Sequence, residues 1–170
     1  MTVRTPVFET PWFRVVSHPM PDGDPYFMLE LDDYVSVIAV IDGDMLLVRQ
    51  YRAVVDRYTV ELPSGHVDAG ETPLDAARRE LREETGFDAG SLELLGTLVP
   101  DVGRLANRLF CYFATDLRPA EDGVQREAGV TMLRWPVPEV LKRATDGTID
   151  HALNLSVLFL GLATGRIRLS

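Results

Sequence analysis

Cysteine is almost absent from this sequence, which contains only Cys111 among its 170 residues. A single cysteine excludes an internal disulfide framework and any zinc site built from four cysteines. Cys111 lies within the apolar segment Leu109–Phe113, which is typical of a buried strand. We therefore expect a buried structural thiol and not a nucleophile.

Long apolar segments are also lacking. The longest, Val157–Ala163, is interrupted by Gly161 and is far shorter than the roughly 20 residues of a membrane-spanning helix. The N-terminal residues MTVRTPVFETPW contain no apolar core of a signal peptide. These features predict a cytoplasmic protein that has no membrane partner.

Basic residues are in the minority, with 17 Lys and Arg against 26 Asp and Glu and a net charge of −9. A protein that coats nucleic acid normally has a basic surface, so we expect no nucleic-acid partner. A nucleotide substrate stays open, because a bound metal can supply positive charge locally. The composition, 46% hydrophobic and 25% charged, is typical of an ordinary globular domain.

The pattern of apolar segments predicts an α/β fold with a mixed β-sheet. The segments Tyr34–Ile41 and Met45–Gln50 are joined by Asp42-Gly43-Asp44, which indicates a hairpin. No repeat or flexible linker divides the chain. The other predicted strands are Trp12–Ser17, Tyr26–Leu31, Tyr58–Leu62, Leu92–Val99, Asn107–Thr115 and Val130–Trp135, and two late helices are predicted at Pro138–Ala144 and Asp150–Ala163.

A central helix is bounded by clear signals. Thr72 can accept as N-cap, Pro73 suits the first helical position, and Gly86 suits the C-terminal end. The apolar stripe of this helix predicts packing by one side, with the acidic residues on the other. The stripe consists of Leu74, Ala77, Leu81 and Thr85.

Three glutamates, Glu80, Glu83 and Glu84, are crowded onto this helix. Like charges three or four residues apart destabilise an isolated helix by about 0.2–0.5 kcal/mol per pair, and a bound cation would remove that repulsion. The alternative is an ordinary solvated face. Three observations argue against a solvated face. The residue four positions after Glu80 is Glu84 and not a lysine that would neutralise the acids. The preceding loop Gly65–Gly70 lets the backbone approach a ligand, and Arg79 can orient a carboxylate.

Clustered carboxylate oxygens favour Mg²⁺, Mn²⁺ or Ca²⁺ over softer metals. Mg²⁺ is usually held by one or two carboxylates together with substrate phosphates. The residues alone therefore indicate a metal-dependent enzyme that acts on a phosphorylated substrate.

The segment that contains these glutamates is similar to the signature of the Nudix hydrolases, G-x5-E-x7-R-E-U-x-E-E-x-G-U, where U is a bulky apolar residue. The resemblance implies an α/β/α layered domain with a mixed sheet and a central catalytic helix. It also implies hydrolysis of a nucleoside diphosphate linked to another group, by attack of water at phosphorus. Every specified position is filled, by Gly65, Glu71, Arg79, Glu80, Leu81, Glu83, Glu84, Gly86 and Phe87.

The same resemblance implies roles for single residues. Glu80 and Glu84 would be the main ligands of Mg²⁺, for which Mn²⁺ is a substitute. Glu83 would be a further ligand or hold a water, and the carbonyl of Ser64 would be a backbone ligand. Glu83 and Glu84 thus belong to the catalytic set.

Arg79 joins that set, because with Glu71 it would hold the loop against the catalytic helix. In similar enzymes a general base comes from a late loop, which here is the segment 120–129. Glu127 is the first candidate for the base, followed by Glu121 and Asp122.

Outside the signature segment Gly65–Phe87, which we call the Nudix box, Val48–Arg52 and Glu61–Gly65 resemble the ADP-ribose and ADP-sugar pyrophosphatases of the family. This implies ADP-ribose as substrate, cleaved to AMP and ribose 5-phosphate. Arg52 and Arg104 would contact phosphate or sugar, and Trp12 would stack on the base, although surface ion pairs and a strand-core tryptophan are alternatives.

Similar enzymes are homodimers in which N-terminal strands help to form the partner's site. We therefore expect residues 1–33 to supply N-terminal strands for dimerisation and residues 34–170 to form the Nudix domain. Three alternatives stay open: a pyrophosphatase of GDP-mannose or another nucleotide, a non-catalytic nucleotide sensor, and a structural metal-binding domain.

Overall fold

Ten strands and three helices make up residues 4–121 and 128–168, the parts of the chain that this computed structural model describes. The strands are β1 (Thr5–Glu9), β2 (Phe13–Pro19), β3 (Pro25–Leu31), β4 (Tyr34–Ile41), β5 (Asp44–Arg52), β6 (Arg57–Glu61), β7 (Ser64–His66), β8 (Phe87–Leu98), β9 (Leu109–Pro119) and β10 (Thr131–Pro136). The helices are α1 (Pro73–Thr85), α2 (Val137–Thr145) and α3 (Ala152–Ala163).

The main sheet is mixed, as predicted, with the order β10-β5-β4-β9-β8. β6 extends it beside β5, and β7 pairs with β4. β4 and β9 run parallel, while the other pairs are antiparallel. Because β4 has apolar side chains on both faces, it is buried at the centre of the sheet.

Helices cover both faces of this sheet, which confirms the predicted α/β/α layers. Ala77 and Leu81 of α1 pack with Val35 and Val37 on one face, where they form one apolar cluster. The opposite face is covered by α2 and α3, whose side chains form a second cluster with the sheet. That cluster includes Ile38, Met45, Leu47, Val140, Val157 and Leu158.

The first three strands form a separate antiparallel sheet in the order β1-β2-β3. Its connection to the main body runs through Leu29 of β3, whose amide donates to Arg104 O at 2.8 Å. The carbonyl of Leu29 accepts from the amide of Ala106 at 2.9 Å. The predicted strands near Trp12 and Tyr26 are therefore present, and β1 adds a third.

Helix α1 begins and ends where its sequence signals predict. The Thr72 hydroxyl accepts from the amide of Asp75 at 3.2 Å, and Pro73 is the first helical residue. Gly86 has a φ of 75°, a left-handed conformation that glycine adopts without strain, and its amide donates to Arg82 O at 2.8 Å.

Several boundaries differ from the prediction. β1 and β7 were not predicted, because β1 lacks a buried face and β7 is a three-residue segment whose pairing with β4 leaves no periodic signal. β8 begins at Phe87 instead of Leu92, and α3 begins at Ala152 instead of Asp150. Such shifts of a few residues follow from tertiary pairing that local propensity does not contain.

Cys111 is fully buried in β9, as predicted. Burial raises the pKa of its thiol to about 12, so the unreactive protonated form is present at neutral pH.

Within residues 4–121 and 128–168, no helix is long and apolar enough to cross a membrane.

Candidate active site

Two of the three glutamates of α1 are buried, so the prediction that the helix packs by one side and presents its acids from the other is wrong for them. Glu80 is 8% and Glu84 is 2% exposed, whereas the Glu83 side chain is 45% exposed. Leu74, assigned to the packed stripe, is instead 38% exposed. The reason is that β7 lies against this side of α1, where the amide of Ser64 donates to Glu84, while Arg79 donates to Glu80.

The residues just before the helix fit closely around these carboxylates. The amide of Ser64 donates to Glu84 Oε2 at 2.9 Å. Gly65 lies so near Glu80 that a Cβ at position 65 would stand 2.0 Å from Glu80 Oε1. A side chain at position 65 would therefore displace the Glu80 carboxylate.

Arg79 connects the loop to the helix. Its guanidinium donates to both oxygens of Glu71, from Nε at 3.1 Å and from Nη2 at 2.9 Å. Nη2 also donates to His66 O at 2.9 Å. Nη1 donates to Glu80 Oε1 at 2.7 Å and to Glu83 Oε2 at 3.3 Å. One side chain thus orients three carboxylates and one backbone carbonyl.

These contacts favour the charged forms of both Glu71 and Arg79, by lowering the pKa of the first and raising the pKa of the second. The hydrogen bond from Arg79 holds the pKa of Glu71 below its ordinary value, against a smaller opposing effect of burial. The hydrogen bond to Glu71 likewise raises the pKa of Arg79, so the guanidinium stays charged. The pair is therefore ionised throughout the neutral range.

The donor set around α1 suits a hard divalent cation. It includes four carboxylates, those of Glu71, Glu80, Glu83 and Glu84, of which the first three accept hydrogen bonds from the guanidinium of Arg79. Gly65 leaves the Glu80 carboxylate without a neighbouring Cβ, which is the kind of cradle that a bound ion needs. In the described ranges, no three acidic, His or Cys side chains are already arranged to hold a metal ion.

A cavity of about 900 Å³ opens beside this part of α1. Ser64, Glu80 and Glu84 contribute to its lining, and so does the predicted substrate contact Arg52. Three of the four predicted metal ligands and one predicted substrate residue therefore share one cavity. Its size is typical of a small-molecule site.

Arg52 is held in the cavity by a buried carboxylate. Its Nε and Nη2 donate to the two oxygens of Glu61 at 2.8 and 2.7 Å, and the Thr59 hydroxyl donates to Glu61 Oε1 at 2.5 Å. Glu61 is only 2% exposed. Burial raises the pKa of Glu61, but the hydrogen bonds from Arg52 and Thr59 and the adjacent positive charge outweigh burial and hold it below its ordinary value.

Glu61 and Thr59 were not predicted as site residues. In β6 the polar residues alternate with apolar ones, a pattern that predicts polar side chains toward solvent. The structure buries both, with Thr59 at 7% and Glu61 at 2% exposure. Glu61 is an acidic residue within the stretch that resembles the ADP-sugar pyrophosphatases, and this could have indicated a site residue. The alternating pattern of β6 alone does not.

Trp12 and Arg104 lie elsewhere. Trp12 is 75% exposed between β1 and β2, so it is not a strand-core residue. Arg104 donates to the Tyr26 hydroxyl at 2.8 Å, against the N-terminal sheet. Neither lines the cavity as residues 4–121 and 128–168 form it.

Of the three candidates for the general base, only Glu121 lies within the described residues. Glu121 is an exposed residue that follows β9 by two positions. Asp122 and Glu127 lie outside the described residues, so the assignment of the base stays a prediction.

Comparison with known proteins identifies the family. The family model of the NUDIX domain matches residues 31–153. The chain therefore belongs to the Nudix family, and it is a Nudix hydrolase. The interpretation of the box as that of an enzyme is confirmed.

Among its relatives, the ADP compounds hydrolase NudE of Escherichia coli is 29% identical over 126 residues, which cover 74% of this chain and 68% of that protein. An ADP-ribose pyrophosphatase of Mycobacterium tuberculosis is 35% identical over 126 residues, or 72% of this chain and 61% of its own length. A methanol dehydrogenase activator of Bacillus methanolicus is 30% identical over 132 residues, covering 75% and 71%.

A crystal structure of an ADP compounds hydrolase superposes with a TM-score of 0.79. The match covers 97% of this chain and 95% of that one at 24% sequence identity. The likeness confirms the fold, including the N-terminal strands.

Proposed function

We propose that this enzyme hydrolyses the pyrophosphate bond of a nucleoside diphosphate sugar with Mg²⁺, and that ADP-ribose, cleaved to AMP and ribose 5-phosphate, is its main substrate. The observation that carries the proposal is the single cavity in which Glu80 and Glu84 lie together with Arg52. Carboxylates suit a metal that binds phosphate, and a guanidinium binds phosphate directly. Two relatives named above act on ADP compounds or ADP-ribose by their names, which favours adenine.

Nudix hydrolases generally use divalent metals, and we propose Mg²⁺, with Mn²⁺ as a substitute. Glu80, Glu84 and the carbonyl of Ser64 would hold it, with Glu83 as a further ligand. A metal bound there supplies Lewis acidity and lowers the pKa of a coordinated water.

The chain's own residues would bind and orient the substrate. Arg52, kept in place by Glu61, would donate to phosphate oxygens from one part of the cavity. Arg79 does not line the cavity in the described structure and would act by holding Glu71, Glu80 and Glu83. A late-loop acid, Glu127 or otherwise Glu121 or Asp122, would accept the proton of the attacking water.

A substrate panel tests this function. Purified protein is incubated with ADP-ribose, ADP-glucose, GDP-mannose, UDP-glucose and ATP, with Mg²⁺ or Mn²⁺, and the products are identified by chromatography and mass. We expect AMP and ribose 5-phosphate from ADP-ribose at the highest kcat/KM. Preferred cleavage of GDP-mannose would overturn the adenine assignment, and no cleavage of any nucleoside diphosphate sugar would overturn the function.

We further propose that the enzyme acts in the cytoplasm as a homodimer, with residues 1–33 as the dimerisation segment and residues 34–170 as the Nudix domain. The N-terminal sheet supports this, since it exposes several large apolar side chains. Trp12 would then reach the site of the partner subunit. The exposed residues are Val7, Phe8, Trp12, Phe13 and Phe27.

Sedimentation analysis tests the dimer. We expect twice the mass of the 19.0 kDa chain, and a monomer in a variant with Phe8→Glu and Phe27→Glu. A monomeric wild-type protein would overturn the proposal.

A further inference from the structure

Asn154 has its amide orientation fixed by a backbone group. This residue of α3 is 1% exposed, and its Oδ1 accepts from the amide of Leu62 at 2.7 Å. A backbone N–H can only donate, so the atom that faces Leu62 must be the oxygen. The Nδ2 group of Asn154 must then point the other way.

That other side is occupied by His151. The Nδ2 of Asn154 lies 3.2 Å from His151 Nδ1. Because an amide NH₂ can only donate, Nδ1 must be the acceptor in this pair. A neutral imidazole whose Nδ1 accepts carries its proton on Nε2, so the orientation of Asn154 sets the tautomer of His151.

The His151 ring is also part of the cavity described above. Its side chain is 41% exposed, and it lines the cavity together with Arg52, Glu80 and Glu84. Nδ1 is turned toward Asn154 and lies 3.7 Å from Glu61 Oε2. The polar atom that remains for a ligand is therefore Nε2, and it bears a hydrogen.

We propose that His151 is a substrate-binding residue, whose Nε2–H donates a hydrogen bond to an oxygen of the sugar–phosphate part of the substrate. Asn154 is the positioning residue, since it fixes the donor tautomer. The inference rests on the proposed function for the identity of the substrate. It gives His151 the role of a hydrogen-bond donor through Nε2, with Nδ1 turned toward Asn154.

The tautomer is measured first, without any turnover. Long-range proton–nitrogen spectra of ¹⁵N-labelled protein at a pH of about 8.5, where an ordinary histidine is neutral, separate the two tautomers. A His151→Gln variant identifies the signals of His151 among the three histidines. We expect the Nε2–H pattern in the wild type. An Nδ1–H pattern would overturn the inference.

Asn154→Asp tests the positioning role. A carboxylate in place of the amide accepts where Nδ2 donates, so the proton of His151 should move to Nδ1 or the ring should become charged. An unchanged Nε2–H signal in this variant would show that Asn154 does not set the tautomer. If the variant does not fold, Asn154→Ser, which lacks the donor at that reach, is measured in its place, and the expected result is a mixture of tautomers.

Steady-state kinetics test the binding role. Loss of one neutral hydrogen bond predicts that His151→Gln lowers kcat/KM for ADP-ribose by about 2- to 12-fold, mainly through KM. Lys142→Gln is the control, because Lys142 is an exposed residue of α2 away from the cavity and should leave kcat/KM unchanged. Equal kinetics of the two variants would overturn the role, and so would a fall in kcat at constant KM.

Failure of this inference differs from failure of the proposed function. A wild type that cleaves no nucleoside diphosphate sugar contradicts the function, whatever the tautomer is. A wild type that cleaves ADP-ribose while His151→Gln matches Lys142→Gln contradicts only the role of His151.

Discussion

The amide of Ser64 donates a 2.9 Å hydrogen bond to Oε2 of Glu84, which joins the residue before the Nudix box to the last glutamate of its helix. This contact explains how Glu84 can be only 2% exposed without an unsatisfied oxygen facing β7. It also brings Ser64 next to one of the carboxylates that we propose as metal ligands. Loop and helix are therefore joined directly by hydrogen bonds.

Glu84→Gln should abolish most of the activity without unfolding the protein. The glutamine carbonyl can still accept from the Ser64 amide, so the contact survives while the negative charge is lost. Removal of one charged group that acts in the transition state typically lowers kcat by about 100- to 1000-fold. We expect a loss in that range in kinetics with ADP-ribose and Mg²⁺.

Glu139→Gln is the control for this substitution. Glu139 is also a helical glutamate, but it lies on α2 and pairs with Arg143 at 2.6 Å, away from the cavity. Its kcat should stay within twofold of the wild type. An equally small change in Glu84→Gln would contradict the assignment of Glu84 as a metal ligand.

Gly65→Ala should damage activity more than stability. The new Cβ would stand 2.0 Å from Glu80 Oε1, but that atom ends a flexible side chain, which can move aside. We expect a loss of unfolding free energy of less than about 1.5 kcal/mol, because only one side chain must repack. The displaced carboxylate should lower kcat by at least about 10-fold, since small misplacements in a site are costly to the rate.

Gly96→Ala provides the comparison for Gly65→Ala, measured by urea unfolding and by the same assay. A Cβ at position 96 would make an ordinary 3.4 Å contact with Leu160, outside the cavity. It should therefore leave kcat unchanged. If Gly65→Ala retained full activity, the close fit of Gly65 and Glu80 would have no functional meaning.

The box could be predicted from the sequence because its determinants are local. Thr72 and Gly86 bound the helix through contacts to residues three or four positions away, and Glu80 and Glu84 are one turn apart. However, local spacing does not predict that Glu80 and Glu84 are buried. That burial depends on β7, whose pairing with β4 connects residues about 30 positions apart.

The part of the cavity formed by Glu61, His151 and Asn154 could not be predicted for the same reason. Leu62 and Asn154 are 92 residues apart in sequence and meet because Leu62 packs in the same apolar cluster as side chains of α3. No short sequence spacing joins His151 to Glu61, and the alternation of polar and apolar residues in β6 does not indicate that Glu61 is buried. Functional residues of this kind depend on topology, which single-sequence patterns do not provide.

Arg79→Lys should destabilise the protein, although charge is conserved. A lysine cannot donate to Glu71, Glu80 and the His66 carbonyl at the same time, because it lacks the planar fork of the guanidinium. Loss of charged hydrogen bonds predicts a decrease of about 1–3 kcal/mol in unfolding free energy, measured in urea at neutral pH.

Arg143→Lys is the corresponding control. Arg143 is 42% exposed and pairs with Glu139 and Asp146 near the surface of α2. Exposed pairs contribute about 0–1 kcal/mol, so the substitution should have a small effect. A similar loss in both variants would show that Arg79 is an ordinary surface partner.

Glu61→Gln should lower stability in a pH-dependent way. The pKa of Glu61 is held below its ordinary value by the hydrogen bonds from Arg52 and Thr59, which outweigh burial. A carboxyl with a lowered folded-state pKa stabilises the protein fully above its unfolded-state pKa, about 4.3, and the contribution is lost as pH falls through the folded-state value. We expect the variant to be less stable by about 1–3 kcal/mol at pH 7, since a charged hydrogen-bonded partner of Arg52 is removed. The difference from wild type should shrink as the pH of urea titrations is lowered from about 7 toward 3.

Glu93→Gln, which removes an exposed partner of Arg166, should show a small difference at every pH. A difference between Glu61→Gln and wild type that stays constant with pH would contradict a stabilising charge at Glu61, and would leave packing of the side chain as its contribution.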